Sequence, residues 1–82
     1  MNLRSRAVKT REEFIGFVRA LRKDLLDHPE SWENDTLEHF LEALAAWVED
    51  MDGYYANQHM AVPEQPDWKC LCDMLMGAKM YE

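Results

Sequence analysis

Apolar residues recur three and four positions apart in three separate tracts, the interval at which side chains stack on one face of an α-helix. The first tract carries Phe14, Val18, Leu21 and Leu25, with Phe17 and Leu26 widening the stripe and Arg19, Arg22 and Lys23 lying off it. Thr10-Arg11-Glu12-Glu13 ahead of it reads as a capping box, in which Thr10 accepts from a free backbone N–H and Glu13 reaches back. Pro29 disfavours helical backbone in the residue before it, so this helix is expected over about residues 10–28.

In the second tract Leu37, Leu41, Leu44, Val48, Met51 and Tyr55 alternate spacings of four and three, and Phe40, Trp47 and Tyr54 broaden the seam on one flank. Asp35-Thr36-Leu37-Glu38 offers a second capping box with Asp35 as N-cap, which sets a helix over about residues 35–56. Gly53 either caps that helix or sits inside it at a cost of about 1 kcal/mol. The stretch from Gln58 to Pro66, with Pro63 and Pro66, reads as a loop. Asp67 then caps a third helix, about 67–81, through Trp68, Leu71, Cys72, Leu75 and Ala78. No tract keeps the two-residue alternation of a strand.

The expectation is an all-α, small three-helix bundle. Its core would comprise Phe14, Val18, Leu21 and Leu25 from the first helix and Leu37, Leu41, Leu44, Trp47, Val48 and Met51 from the second, closed by Trp68, Leu71 and Leu75 from the third. Residues 1–9 lack periodicity and read as a basic N-terminal arm on a single helical domain, 10–82. A chain of 82 residues has room for one modest core and no second domain. An apolar content of 48% is that of a folded chain.

Charge divides the chain. Residues 1–23 hold seven basic side chains against Glu12 and Glu13, a balance of +5, whereas the rest holds fourteen acids against Lys69 and Lys79, a balance of −12. Such a field repels nucleic acid and anionic lipid and favours a partner protein with a basic surface. Met1 to Arg6 is positively charged without an apolar run behind it, and eighteen uncharged apolar residues nowhere follow one another. Cys70 and Cys72, two apart on a helix, point to different sides and cannot pair with each other. With no signal or span to read, the expected setting is a reducing, cytoplasmic one.

Most catalytic readings fail on spacing. Asp50-Met51-Asp52-Gly53 has the look of a calcium loop, but the first ligand position would be Val48 and the bidentate twelfth would be His59. Cysteine and histidine pairs at zinc-binding intervals are absent. His39 and Glu42 share a helix face like one arm of a di-iron bundle, without the other arms. Glu12-Glu13 and Glu49-x-x-Asp52 match half of the magnesium motif of all-α nucleotide pyrophosphatases, with Gly16 where a third glutamate belongs. Accordingly no cofactor, metal or catalytic residue is expected. Trp32, Trp47, Trp68, Tyr54, Tyr55 and Tyr81 are read mainly as core and core rim, with Tyr54 the ring expected at the surface.

The residues Trp32-Glu33-Asn34, Leu37, Phe40-Leu41-Glu42, Trp47, Asp50, Gly53-Tyr54-Tyr55, Pro66, Trp68 and Tyr81-Glu82 give the chain a pattern. It resembles a family of small bacterial proteins catalogued only as a domain of unknown function. The resemblance covers about residues 10–82, and the W-E-N to G-Y-Y stretch is its most specific part. It implies a domain and no activity, cofactor or substrate.

The functional expectation is a binding module, an immunity or antitoxin-type inhibitor whose acidic face meets a basic protein through Glu42, Glu49, Asp50, Asp52 and Tyr54. A homodimer in which the acids meet Arg19, Arg22 and Lys23 is an arrangement the charges allow. Two alternatives stand beside it: a carboxylate- or metal-dependent hydrolase of small phosphorylated substrates using the second helix with His39, and a structural subunit that leaves the second helix's seam uncovered.

Overall fold

A computed structural model describes residues 8–81 of the chain. It contains three helices, α1 (Arg11–Asp27), α2 (Leu37–Asn57) and α3 (Trp68–Met80), with a 3₁₀ turn at Pro29–Ser31. Among the described residues there is no strand. Val8 is buried in the core, so the packed chain begins before Thr10, and residues 1–7 of the expected arm lie outside the described residues.

Each helix starts on a side chain that satisfies a backbone donor the helix leaves open. Thr10 Oγ1 accepts from the Glu13 N–H at 3.1 Å, and the Glu13 carboxylate reaches back to the Lys9 N–H at 3.0 Å. Asp67 accepts from the Cys70 N–H at 2.7 Å. For α2 the expected cap is corrected by one residue: Thr36, not Asp35, accepts from the His39 N–H, at 3.2 Å.

Gly53 lies inside α2, which ends four residues later on a residue no glycine occupies. His59 adopts φ of 57°, the Met60 N–H bonds the Tyr55 carbonyl at 2.9 Å and the His59 N–H bonds that of Ala56 at 3.1 Å. This is a Schellman closure, with Met60 folded onto the cluster that holds Tyr55. Histidine tolerates the left-handed region better than most residues, though less well than glycine.

The third helix is the centre of the bundle. One of its sides carries Cys72 into a cluster with Val8, Phe17, Leu21 and Trp32, backed by Phe14, Leu25, Phe40 and Leu75. The other carries Cys70 against Trp47 and Tyr55, backed by Met51, Met60 and Met74. The most extensive interface joins α2 to α3, a smaller one joins α1 to α3, and α1 and α2 barely touch.

This arrangement corrects the expected core. Val18 is 39% exposed, Leu37 74%, Leu41 54% and Val48 36%, so all four belong to the surface. The buried line of α1 runs through Phe17 and Leu21, and that of α2 through Ala43, Trp47 and Tyr55. The apolar arc of α2 is wider than one face, and α3 takes the flank where it can approach closest. There the Trp47 indole lies on Gly77, where a Cβ would fall deep inside the ring's van der Waals envelope. Cys70 is buried on the same side. Leu21 and Trp47 are buried; Phe14, Leu25, Leu44, Met51, Trp68, Leu71 and Leu75 are half-buried.

Candidate functional site

Helical spacing puts Glu38, Glu42, Glu49 and Asp52 on one stripe of α2, at intervals of four, seven and three, and all four are exposed. Among the described residues none of the four has an ion-pair partner. Immediately beside them, each acid's predecessor or near neighbour, Leu37, Leu41 and Val48, makes a parallel apolar stripe open to solvent. Carboxylates next to uncovered aliphatic side chains form a surface that a basic, partly apolar partner would fit.

The expected site residues do not all share that surface. Glu42, Glu49 and Asp52 do. Asp50 lies around the helix and accepts a hydrogen bond from the Tyr81 hydroxyl, which raises the Tyr81 pKa by stabilising its protonated form. Tyr54 is 37% exposed, as expected, but its ring lies 5.2 Å from Trp47 and 5.1 Å from Tyr55. Both are tied to the bundle.

A groove of about 320 Å³ separates α1 from α2. Val18, Leu25, Leu37 and Phe40 line it, with Arg22 and Asp35 at its edge. Assigning Val18 and Leu37 to the core hid this groove from sequence reasoning. The available signal was the width of the apolar arc on α2, more than a single neighbouring helix covers.

His39 and Glu42 border a second hollow, of about 270 Å³, with Asn34, Ala46 and Tyr81. Among the described residues no three His, Cys, Asp or Glu side chains gather as a metal site.

Two polar nodes were not foreseen. Asp73, 4% exposed, accepts from the Tyr55 hydroxyl at 3.0 Å and from Lys69 Nζ at 2.8 Å, and Cys70 Sγ lies 3.4 Å from the same hydroxyl. Burial, then the neighbouring thiol and carboxylate, holds the Tyr55 phenol far above its ordinary range. Burial pushes the Cys72 thiol up to about 11. Asp24 accepts from Lys79 Nζ at 2.8 Å and from the Trp32 indole at 3.0 Å, and Lys79 lies 5.3 Å from the Trp32 ring centre. The hydrogen bond from Lys79, and then that from Trp32, holds Asp24 below the usual carboxylate range.

Asn34 completes this second node. Its side chain donates to the Ala78 and Tyr81 carbonyls at 3.0 and 2.5 Å, and its backbone N–H to that of Lys79 at 3.1 Å. In W-E-N, Trp32 and Asn34 therefore clamp the C-terminal end of α3, closing carbonyls a helix end leaves open.

The fold and its surface define a small all-α domain in which, among the described residues, no buried side-chain polar atom lacks a hydrogen-bond partner, with an acidic, partly apolar outer face on α2. The model of a family of unknown function, DUF7660, matches residues 10–82, and the chain belongs to that family. No curated protein and no solved structure matches it.

Proposed function

We propose that the chain is a non-catalytic binding module whose outer α2 face docks on the basic surface of another protein, as an immunity or antitoxin-type inhibitor does. The observation that carries this is the stripe of Glu38, Glu42, Glu49 and Asp52, which form no ion pair among the described residues, beside exposed Leu37, Leu41 and Val48. The carboxylates supply steering and register, and the aliphatic stripe supplies area to bury. Among the described residues no helix is long and apolar enough to cross a membrane, and we place the module in the cytoplasm. The hydrolase alternative has less support, since of the acids on this stripe only Glu42 borders the hollow beside His39, and the four do not converge there.

Capture of partners from lysate, at low salt and again at high salt, tests the proposal. Raising ionic strength shortens the screening length from about 8 Å at 0.15 M to about 3 Å at 1 M. A basic protein should be retained at low salt, released at high salt, and lost with Glu42→Lys/Glu49→Lys. Recovery of no basic protein, or of one indifferent to both salt and charge reversal, would sink the proposal.

A further inference from the structure

The surface left open between α1 and α2 has two unlike banks. On α1, Ile15, Val18 and Leu26 are exposed at intervals of three and eight, interleaved with exposed Arg11, Arg19 and Arg22. On α2, Leu37, Leu41 and Val48 are exposed beside Glu38, Glu42, Glu49 and Asp52. Val18 and Arg22 border the groove from one side and Leu37 from the other, so the two banks adjoin at this groove. Among the described residues, Arg11, Arg19 and Arg22 form no ion pair, and neither do the four acids.

Each bank lacks what the other has. The acidic bank needs a basic, apolar helix, and the basic bank needs an acidic, apolar one. An unrelated partner offering one of these would leave the second bank uncovered. A copy related by a two-fold axis offers both, because a contact of α1 with the partner's α2 is repeated as α2 with the partner's α1, and the assembly closes. We propose that this face is covered by a second copy of the chain, with α1 of each copy lying along α2 of the other. Exposed leucine and valine then enter a buried interface and the unpaired arginines meet the unpaired carboxylates.

This inference rests on the same outer face of α2 as the proposed function and names one occupant of it. An external basic protein reading Glu38 and Glu42 has to displace the second copy. Dimerisation and capture are therefore mutually exclusive states of one surface.

Sedimentation equilibrium of the full chain and two charge-reversed variants tests the pairing. One variant carries Arg19→Glu and Arg22→Glu, and the other carries Glu38→Lys and Glu42→Lys. All four positions are exposed, so circular dichroism should show unchanged helix content. The wild type should be a dimer weakened by salt, and each variant alone should dissociate about tenfold or more readily. An equimolar mixture should form a dimer with one copy of each, since reversed α1 then meets reversed α2 and native α1 meets native α2. Leu41→Asp, which removes no native charge, should also yield monomer. A wild type that is monomeric at every concentration, or variants that fail to recombine when mixed, overturns the proposal. A monomeric wild type that loses a captured basic partner on Glu38→Lys/Glu42→Lys overturns the dimer and leaves the proposed function standing. A recombining dimer that recovers no basic protein supports the dimer and removes the other reading.

Discussion

The two long sides of α2 obey different rules. Toward α3 the side chains are interlocked: Trp47 lies on Gly77, Tyr55 reaches Asp73, and Cys70 fills the space between. Away from α3, Leu37, Leu41 and Val48 stand in solvent, Leu37 on the wall of the groove. Both sides are apolar, so apolarity alone did not choose between them. Close approach did, because a glycine on α3 lets an indole lie flat where any Cβ would hold it off.

The largest contrast should come from truncation on either side. Trp47→Ala is expected to lower stability by about 3–5 kcal/mol through the cavity it leaves, whereas Leu41→Ala, measured in dilute monomer, should change it by less than about 0.5 kcal/mol. Chemical denaturation of the two variants checks this. Equal losses would mean that the exposed stripe contributes to the fold and that the contrast is false.

The three glycines sharpen the same comparison, because all sit in helices. Nothing lies within 4 Å of a Cβ at Gly16 or Gly53, whereas a Cβ at Gly77 meets Trp47. Gly77→Ala should destabilise by about 1–3 kcal/mol, and Gly16→Ala and Gly53→Ala should each stabilise by about 0.5–1 kcal/mol. Thermal melts should therefore show opposite signs for one chemical change.

Inside the α2–α3 interface, Tyr55→Phe removes the donor to buried Asp73 and is expected to lower stability by about 1 kcal/mol. Alkaline pH probes the same region. The folded chain keeps the Tyr55 and Cys72 protons well above the ordinary 10.0 and 9.0, so it binds more protons than the unfolded chain there. Stability should be full below about pH 8.5 and fall as pH rises, Cys72 completing its share near 11. Ellman's reagent should find Cys70 and Cys72 unreactive until the chain unfolds, both being buried.

A smaller effect belongs to the clamp between α1 and α3. Asp24 is held low by Lys79 and Trp32, so its contribution is present above the ordinary 3.8 and lost as pH falls through its folded value. Melting temperature should decline on acidification from about pH 5 to about pH 2, and Asp24→Asn should flatten part of that decline. An unchanged profile would show that the carboxylate is not stabilised in the fold.

Local chemistry was legible along the chain. Thr10 and Glu13, Asp67 and Pro29 marked helix boundaries, because a cap acts within four residues and a proline on its immediate neighbour. The cap at Asp35 was read one residue early, since Asp35 and Thr36 are both good acceptors and only backbone geometry separates them. The candidate face was half legible. Glu42, Glu49 and Asp52 follow from helical spacing, but Asp50 is taken by Tyr81, thirty-one residues away. Leu37, Leu41 and Val48 were read as core because an apolar seam carries no mark of which neighbour will cover it.

By itself the sequence determined three amphipathic helices, where the first and third begin, and a charge divided between basic residues 1–23 and an acidic remainder. Those properties reside in residues a turn or less apart, or in a simple count. Only the tertiary structure decided that α3 is the centre, that α2 turns Ala43, Trp47 and Tyr55 toward it, and that Trp32 and Asn34 clamp its end. Such choices depend on the shapes of side chains distant in sequence, and a missing Cβ at Gly77 is legible as a docking site only when Trp47 lies against it.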